Sequence, residues 1–168
     1  DLVTGVQTCA LPISMARQKN IALNYSIARD LPKVILSDEF RLKRILLNLI
    51  GNALKFTQMG SVDVTLQSVS LDNPNAESRQ FVLAISIKDT GIGIPEDKQN
   101  LIYQKYVKVS PSNKGLYKGT GLGLSMVKQF VGELEGEVQL ESELAKGTTF
   151  TVFIPVKQSI ADMVGWNN

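Results

Sequence analysis

The sequence predicts an α/β fold of the α+β kind: a two-layer sandwich whose mixed, mostly antiparallel sheet is covered on one face by helices. Segments with the two-residue period of strands alternate with segments that have the 3.6-residue period of amphipathic helices. Their predicted order is strand, helix, two strands, helix, loop, helix, two strands. Strands that follow each other in pairs beside helices favour this layered architecture. The 168 residues, 43% of them hydrophobic, suffice for one domain with one core.

The chain before residue 60 predicts one strand and one long helix. Residues 20–28 alternate apolar and polar side chains and end in the turn Asp30-Leu-Pro32. Ser37 and Asp38 are both suitable N-caps for a helix that runs to about Thr57. Its buried face follows the helical period: Leu42, Ile45, Leu46, Leu49 and Ala53.

The next part of the chain predicts a hairpin. Gly60 ends the helical pattern, and residues 61–69 and 81–88 alternate as strands. The polar residues 71–79 are typical of the loop between them.

The second half predicts two helices separated by a loop. Pro95 suits the first position of a helix over residues 96–106. Residues 107–118, rich in Ser, Asn, Gly and Lys, indicate a mobile loop. Another helix begins near Leu122 and ends at a Gly136 cap.

Two strands, residues 137–141 and 148–154, close the predicted domain around a turn at Lys146-Gly147. Residues 156–168 show no clear period and are assigned to a C-terminal tail, so that the domain covers residues 20–155.

Composition excludes several classes of protein. A formal charge of +2 does not indicate a nucleic-acid partner. We find neither an apolar run as long as a membrane span nor a signal-peptide pattern, and therefore expect no direct membrane contact by this domain. The single Cys9 excludes an internal disulfide and a cysteine zinc site. These features favour a cytoplasmic domain.

Residues 3–13 resemble the translation of a common sequencing adapter. We therefore expect residues 1–13 to be foreign to the protein, with an ordinary N-terminal loop as the alternative. Residues 14–19 would then be the remnant of a linker from an upstream segment.

Two glycine-rich segments carry the strongest functional signal: Asp89-Thr-Gly-Ile-Gly-Ile-Pro95 and Gly119-Thr-Gly-Leu-Gly-Leu-Ser125. Neither fits a Walker P-loop or a dinucleotide fingerprint. Glycine lets the backbone approach a phosphate, and the helix that starts near Leu122 points its positive end at the same place. Asp89 ends a buried strand as a pure acceptor, which suits an exocyclic amine. Each segment alone is also typical of a plain turn.

The first helix carries a second, independent signal. Arg41, Asn48, Asn52 and Lys55 fall in a narrow sector beside its apolar face. Such a stripe is usually only solvated, but Asn is a poor helix former. An amide oxygen can join a Mg²⁺ shell, and a lysine one turn later can meet the same phosphates.

These motifs resemble those of sensor histidine kinases. Asn48-Leu-Ile-Gly-Asn-Ala-Leu-Lys-Phe-Thr57 is similar to their N box, and the two glycine segments are similar to their glycine boxes. Gly147-Thr-Thr-Phe150 resembles the closing strand of the same domain. The resemblance covers residues 20–155 and implies the Bergerat ATP-binding fold, with ATP and Mg²⁺ as ligands.

The resemblance also implies roles for individual residues. Asn52 would hold Mg²⁺ with Asn48 beside it, and Lys55 and the loop residue Lys108 would contact phosphates, so that Asn48, Lys55 and Lys108 act in catalysis. Asp89 would accept a hydrogen bond from the adenine amine. The remaining nucleotide-binding positions are Gly91, Gly93, Ile94, Tyr106, Gly119, Thr120, Gly121, Leu122, Gly123, Leu124 and Thr149. Tyr103 and Tyr106 replace the usual Phe pair, and Arg44 stands where Gln is frequent.

One substitution favours a kinase over an ATPase. Hydrolysing relatives have a Glu base four residues before the Mg²⁺ asparagine, whereas this chain has Asn48, which cannot take a proton near pH 7. The chain also has no histidine. We therefore predict the catalytic domain of a two-component kinase, which transfers the γ-phosphoryl group to a histidine on a separate dimerisation domain.

The predicted partners are that dimerisation domain and a response regulator receiver domain, and the full-length kinase would be cytoplasmic or anchored in the inner membrane. The alternatives are an ATP-hydrolysing conformational switch of the same fold, an inactive nucleotide-binding docking module, and a plain α/β domain with turn glycines.

Overall fold

The structure, a computed structural model, describes residues 10–69, 80–105 and 121–158. Its helices are α1 (Ala10–Lys19), α2 (Glu39–Phe56), α3 (Glu96–Gln99) and α4 (Gly123–Glu133). Its strands are β1 (Ala22–Ile27), β2 (Ile35–Leu36), β3 (Ser61–Val69), β4 (Gln80–Asp89), β5 (Glu137–Glu143) and β6 (Gly147–Gln158). The predicted loops 71–79 and 107–118 lie outside the described residues. Of the predicted tail 156–168, residues 156–158 belong to β6 and the rest lies outside the described residues.

The strands form one mixed sheet in the order β1-β3-β4-β6. Both β5 and β2 pair with the far side of β6, β5 along its first half and β2 at its end. β1 runs parallel to β3, and the other pairings among the described strands are antiparallel. The predicted α+β sandwich with a mostly antiparallel sheet is therefore confirmed.

The core lies between one face of this sheet and the helices. Alternate residues of β4 and β6 point into it, because successive side chains of a strand face opposite sides. Helix α2 contributes its predicted apolar face, with Ile45 and Leu49 almost fully buried, and α4 contributes Val127 and Val131. This packing holds both helices against one face of the sheet.

The helices α2 and α4 lie side by side in opposite directions. Of the two predicted N-caps, Asp38 is the one that caps α2, since its Oδ1 accepts a hydrogen bond from the backbone N–H of Arg41 at 2.9 Å. Arg41 Nε lies 2.6 Å from Glu133 Oε2 near the C-terminal end of α4. At the other end, Gly123 begins α4 beside Asn48. The two helices thereby bring the middle of α2 to the N-terminus of α4.

Two elements were not predicted. Helix α1 spans residues 10–19 and so crosses the predicted boundary at residue 13, while the assignment of residues 1–13 to an adapter stays a prediction. Strand β2 is only two residues long. β1 also begins later than predicted, because Asn20 has a left-handed φ of 55° and ends α1.

The predicted helix over residues 96–106 is wrong in length. Helix α3 ends at Gln99, and the following backbone N–H groups bond three residues back: Leu101 to Lys98 and Gln104 to Leu101. Such bonds form successive turns rather than an α-helix. Pro95 stands at the N-cap with ψ of 141°, not at the first helical position.

The predicted role of Gly136 as the cap of α4 is also wrong. The left-handed residue is Glu135, with φ of 57°, and Gly136 N–H bonds to Val131 O at 2.8 Å in the pattern of a Schellman cap. A Cβ on Gly136 would lie 2.4 Å from Phe153 O. Gly136 is therefore needed for the close approach of the chain to β6.

Candidate nucleotide-binding site

Asp89 ends β4 as a buried carboxylate with 6% of its surface exposed. Its Oδ1 accepts hydrogen bonds from the backbone N–H of Gly91 at 2.8 Å and of Thr148 at 3.3 Å. Burial raises the pKa of the Asp89 carboxyl, and the two backbone donors oppose that rise. Because both donors in the described part of the chain reach Oδ1, the arrangement orients the carboxylate with Oδ2 as the second acceptor.

The first glycine segment fits against α2 and β5 through backbone contacts. A Cβ on Gly91 would lie 2.5 Å from Phe56 O at the end of α2. Gly93 has φ of 69°, and its Cβ would lie 2.0 Å from Glu143 O. The glycines are thus required by packing, and they hold the segment directly after Asp89. The half-buried Ile94 packs against the core, and its N–H donates to Ser142 Oγ at 2.8 Å.

The two asparagines of α2 lie beside the second glycine segment. A Cβ on Gly123 would lie 2.7 Å from Asn48 Oδ1 and 3.9 Å from Asn52 Nδ2. Asn48 Nδ2 donates to Arg44 O at 2.8 Å, one turn back along the helix. This bond turns the amide oxygen of Asn48 toward the N-terminus of α4. The absence of a side chain at Gly123 leaves the space that the two amides border.

Lys55 lies in the last turn of α2, one turn after Asn52 in the direction of Asp89. Its Nζ is 4.9 Å from the centroid of the Phe56 ring. A cation over an aromatic face is stabilised by the ring quadrupole. The lysine is therefore held close to the helix end that also contacts Gly91.

The structure places Thr148, rather than the predicted Thr149, beside Asp89. Asp89 stands opposite Thr148 in the β4–β6 register, while Thr149 stands opposite Lys88. Neighbouring residues of a strand face opposite sides of the sheet, so Thr148 shares the face of Asp89 and Thr149 does not. The Thr148 hydroxyl lies 2.8 Å from Ser142 Oγ. Two threonines follow Gly147, and only the register distinguishes them.

The remaining predicted residues fall into two groups. Gly121, with φ of 71°, and Leu122, at the N-cap, lead into α4, and the half-buried Leu124 in its first turn packs against the core. Tyr106, Lys108, Gly119 and Thr120 lie outside the described residues.

Arg41 belongs to the same sequence stripe as Asn48 but not to the same site. Its guanidinium bonds Asp38 and Glu133 and lies 5.8 Å from the centroid of the Phe130 ring. These contacts hold α4 against the start of α2, two turns away from Asn48. Sequence spacing alone could not separate this bracing role from a phosphate contact.

Comparison with known proteins agrees with the fold and the site. Residues 37–158 match the family described as histidine kinase-, DNA gyrase B- and HSP90-like ATPase, and the chain belongs to this family. Within it, the chain is similar to the ATP-binding catalytic domains of sensor histidine kinases.

The most similar relatives include the autoinducer 2 sensor kinase/phosphatase LuxQ of Vibrio vulnificus. It is 38% identical over 158 residues, which are 94% of this chain and 18% of LuxQ. The signal transduction histidine-protein kinase BarA of Escherichia coli is 34% identical over 135 residues, 80% of this chain and 14% of BarA. The chain thus spans less than a fifth of either relative.

A solved structure with the same fold is full-length ShkA in complex with AMPPNP. The present chain superposes on it with a TM-score of 0.74 at 31% identity, and the matched region covers 93% of this chain and 30% of the ShkA chain. Among the described helices of the present chain, none combines the length and apolar character needed to cross a bilayer.

Proposed function

We propose that this domain binds ATP with Mg²⁺ and positions the γ-phosphoryl group for transfer to a histidine on another domain. The observation that carries the proposal is Asn48, an amide at the position where hydrolysing members of the family have a carboxylate base. Its NH₂ group is occupied by Arg44 O, and its oxygen faces the start of α4 beside Asn52. This amide cannot deprotonate water.

A histidine imidazole is a strong nucleophile and needs no such base. In-line phosphoryl transfer depends chiefly on positioning and on charge stabilisation. The chain has no histidine, so the acceptor must come from elsewhere. The proposed source is a dimerisation domain of the same kinase.

The adenine end of the proposed site is at Asp89. Its Oδ1 is occupied by two backbone donors, which supports Oδ2 as the acceptor of the adenine amine. We assign to Thr148 the role that the sequence had suggested for Thr149, because Thr148 shares the face and the hydrogen bonding of Asp89.

The phosphate end of the proposed site is at Asn52. Asn48 Oδ1 and Asn52 Nδ2 border the space left by Gly123. The oxygen of the Asn52 amide would be the Mg²⁺ ligand, because Mg²⁺ prefers oxygen ligands. When bound, the metal would neutralise phosphate charge. Lys55 would contact the phosphates from the next turn of α2, and Lys108 stays a prediction of the resemblance.

The wider system follows from the relatives named as sensor kinases. The proposed partners are the histidine-bearing dimerisation domain and, downstream, a response regulator receiver domain. Since ATP is the proposed substrate, we place the domain on the cytoplasmic side, whether or not the full-length kinase is anchored in the inner membrane.

Transfer in trans tests this function. The chain is incubated with γ-labelled ATP and Mg²⁺, with and without a cognate helical hairpin that carries an accessible histidine. We expect label on the hairpin that is lost in acid and kept in base, and none on a hairpin with the histidine replaced by alanine. Rapid release of phosphate without the hairpin would instead establish an ATP-hydrolysing switch. Nucleotide binding with neither transfer nor hydrolysis would establish a docking module.

Asn48→Glu is the matched variant for the assignment of Asn48. It places a carboxylate where hydrolysing relatives have one, and we expect slower transfer to the hairpin. Asn48→Asp also introduces a carboxylate, but on a side chain shorter than that of glutamate. Comparison of the two variants separates the effect of charge from the effect of side-chain length. Transfer at the unmodified rate in both variants would contradict the role given to Asn48.

A further inference from the structure

The end of helix α1 is joined to the end of helix α2 by one side chain. Lys19 Nζ donates hydrogen bonds to Leu54 O at 2.6 Å, Lys55 O at 3.0 Å and Thr57 O at 2.9 Å. An ammonium has three donors, and these three carbonyls use all of them. Carbonyls at a helix C-terminus lack partners within the helix and carry partial negative charge, so a cation stabilises them.

The backbone of Lys19 is itself fixed. Asn20 N–H bonds to Arg17 O at 3.1 Å and Ile21 N–H to Ala16 O at 2.9 Å, with Asn20 left-handed. This is the Schellman pattern, which ends α1 at a defined residue. Ala16 and Ile21 are both buried in the core. The position of the ammonium therefore depends on how α1 packs against the domain.

The same turn of α2 contacts the nucleotide site on its other side. Phe56 O, between the carbonyls that Lys19 binds, accepts a hydrogen bond from Ile92 N–H at 3.3 Å. A Cβ on Gly91 would lie 2.5 Å from the same carbonyl oxygen. The turn contains Lys55 as well. One helical turn is thus held between α1 and the segment that follows Asp89.

We propose that Lys19 is a positioning residue, which fixes the last turn of α2 and thereby couples the segment before β1 to the nucleotide site. The inference rests on the proposed function only for its effect on nucleotide affinity. Loss of the ammonium frees three carbonyls, allows the turn to fray, and loosens the Phe56–Ile92 bond. Nucleotide affinity then falls although the fold persists.

The first test needs no nucleotide. Amide hydrogen exchange is compared in the unmodified chain, in Lys19→Met and in Lys43→Met. The last variant is a control that removes a half-buried lysine of α2, which is paired with Glu39. We expect Lys19→Met to accelerate exchange at Ile92 about tenfold and to leave Leu134, at the end of α4, unchanged. Unaltered exchange at Ile92 in folded Lys19→Met would overturn the proposal.

The second test measures ADP affinity calorimetrically, well below the unfolding temperature of every variant. We expect about tenfold weaker binding for Lys19→Met, little change for Lys43→Met, and recovery to within about threefold for Lys19→Arg, which keeps the charge and the donors. A lower unfolding temperature with unchanged ADP affinity would mean that Lys19 has a structural role only, which overturns the coupling. If Lys19→Met does not fold, Lys19→Gln, which keeps a donor, takes its place under the same criteria.

The two tests separate this inference from the proposed function. If the unmodified chain does not bind ADP, the proposed function fails, while the exchange at Ile92 still decides the coupling. If ADP binds and Ile92 does not respond, the coupling fails and the proposed function stands.

Discussion

Replacement of Asp89 by asparagine isolates the proposed contact with the base. Asparagine keeps one oxygen, which can accept the N–H groups of Gly91 and Thr148 as Asp89 Oδ1 does. The second oxygen becomes an NH₂ group. The variant therefore preserves the internal hydrogen bonds and places a donor where the adenine amine also brings a donor.

The expected loss follows from that one exchange. A hydrogen bond to a charged group contributes about 1.5–3 kcal/mol. Since about 1.4 kcal/mol corresponds to a factor of ten, Asp89→Asn should weaken ADP binding about 10- to 100-fold. Because the asparagine NH₂ group and the adenine amine would face each other as two donors, we expect a loss of affinity in the upper part of that range.

The assay is a cycle of two proteins and two nucleotides. Dissociation constants are measured by calorimetry for ADP and for purine riboside diphosphate, which lacks the amino group. The unmodified chain should prefer ADP, and Asp89→Asn should lose that preference. Asp63→Asn is the matched control, because the Asp63 side chain on β3 bonds only Asn24 and Ser61 among the described residues.

An unchanged preference for ADP in Asp89→Asn would refute the assignment of Asp89 to the adenine amine. Weaker binding of both nucleotides by the same factor would refute it as well, since that result means a general distortion of the site.

Asp89→Asn, which should weaken nucleotide binding, should become more stable relative to the unmodified chain as the pH rises. Burial raises the pKa of Asp89 in the folded state, so the folded chain holds this proton more tightly than the unfolded chain does. The resulting stabilisation is complete below the unfolded pKa and is lost as pH rises through the folded pKa. Asparagine has no proton to lose. We therefore measure the free energy of unfolding of both proteins by urea denaturation. The value for Asp89→Asn minus the value for the unmodified chain should increase as pH rises from the acid range to neutrality.

Three further variants test separate parts of the structure. Asn52→Ala should abolish the difference in ATP affinity with and without Mg²⁺, and calorimetric titrations that keep the unmodified difference would contradict the metal role. Gly123→Ala places a Cβ 2.7 Å from Asn48 Oδ1; nucleotide affinity should fall while the free energy of unfolding stays within about 1 kcal/mol, and equal affinity would show that the space is not used. Glu135→Gly relieves a left-handed residue, with φ of 57°, and should raise the free energy of unfolding by about 1 kcal/mol in urea denaturation; a loss of stability would show that the Glu135 side chain matters more than the strain.

Local patterns predicted much of the fold. Strand β3 has the predicted bounds, and Asp38 caps α2 as expected, because alternation and capping depend on neighbouring residues. Each of these features is encoded within a few residues of sequence.

The parts that sequence did not predict depend on distant contacts. Helix α1 has no marked apolar stripe, and it is held by the burial of Ala16 and by the bonds of Lys19 to α2. Thr148 could be chosen over Thr149 only from the pairing of β6 with β4. Glu135, rather than Gly136, adopts the left-handed cap because Gly136 must pass close to Phe153 O. In each case the deciding partner is many residues away.

The glycines of this site act on function through packing. Added Cβ atoms on Gly91, Gly93 and Gly147 would lie 2.5, 2.0 and 2.0 Å from backbone carbonyl oxygens of Phe56, Glu143 and Asp89. A backbone atom cannot swing aside as a side chain can, so any substitution must move the end of α2, the end of β5 or the end of β4. These are the elements that hold Lys55, Ser142 and Asp89. The glycines therefore fix the elements that carry the proposed adenine and phosphate contacts, so that a bound nucleotide would meet both ends of its proposed site already in place.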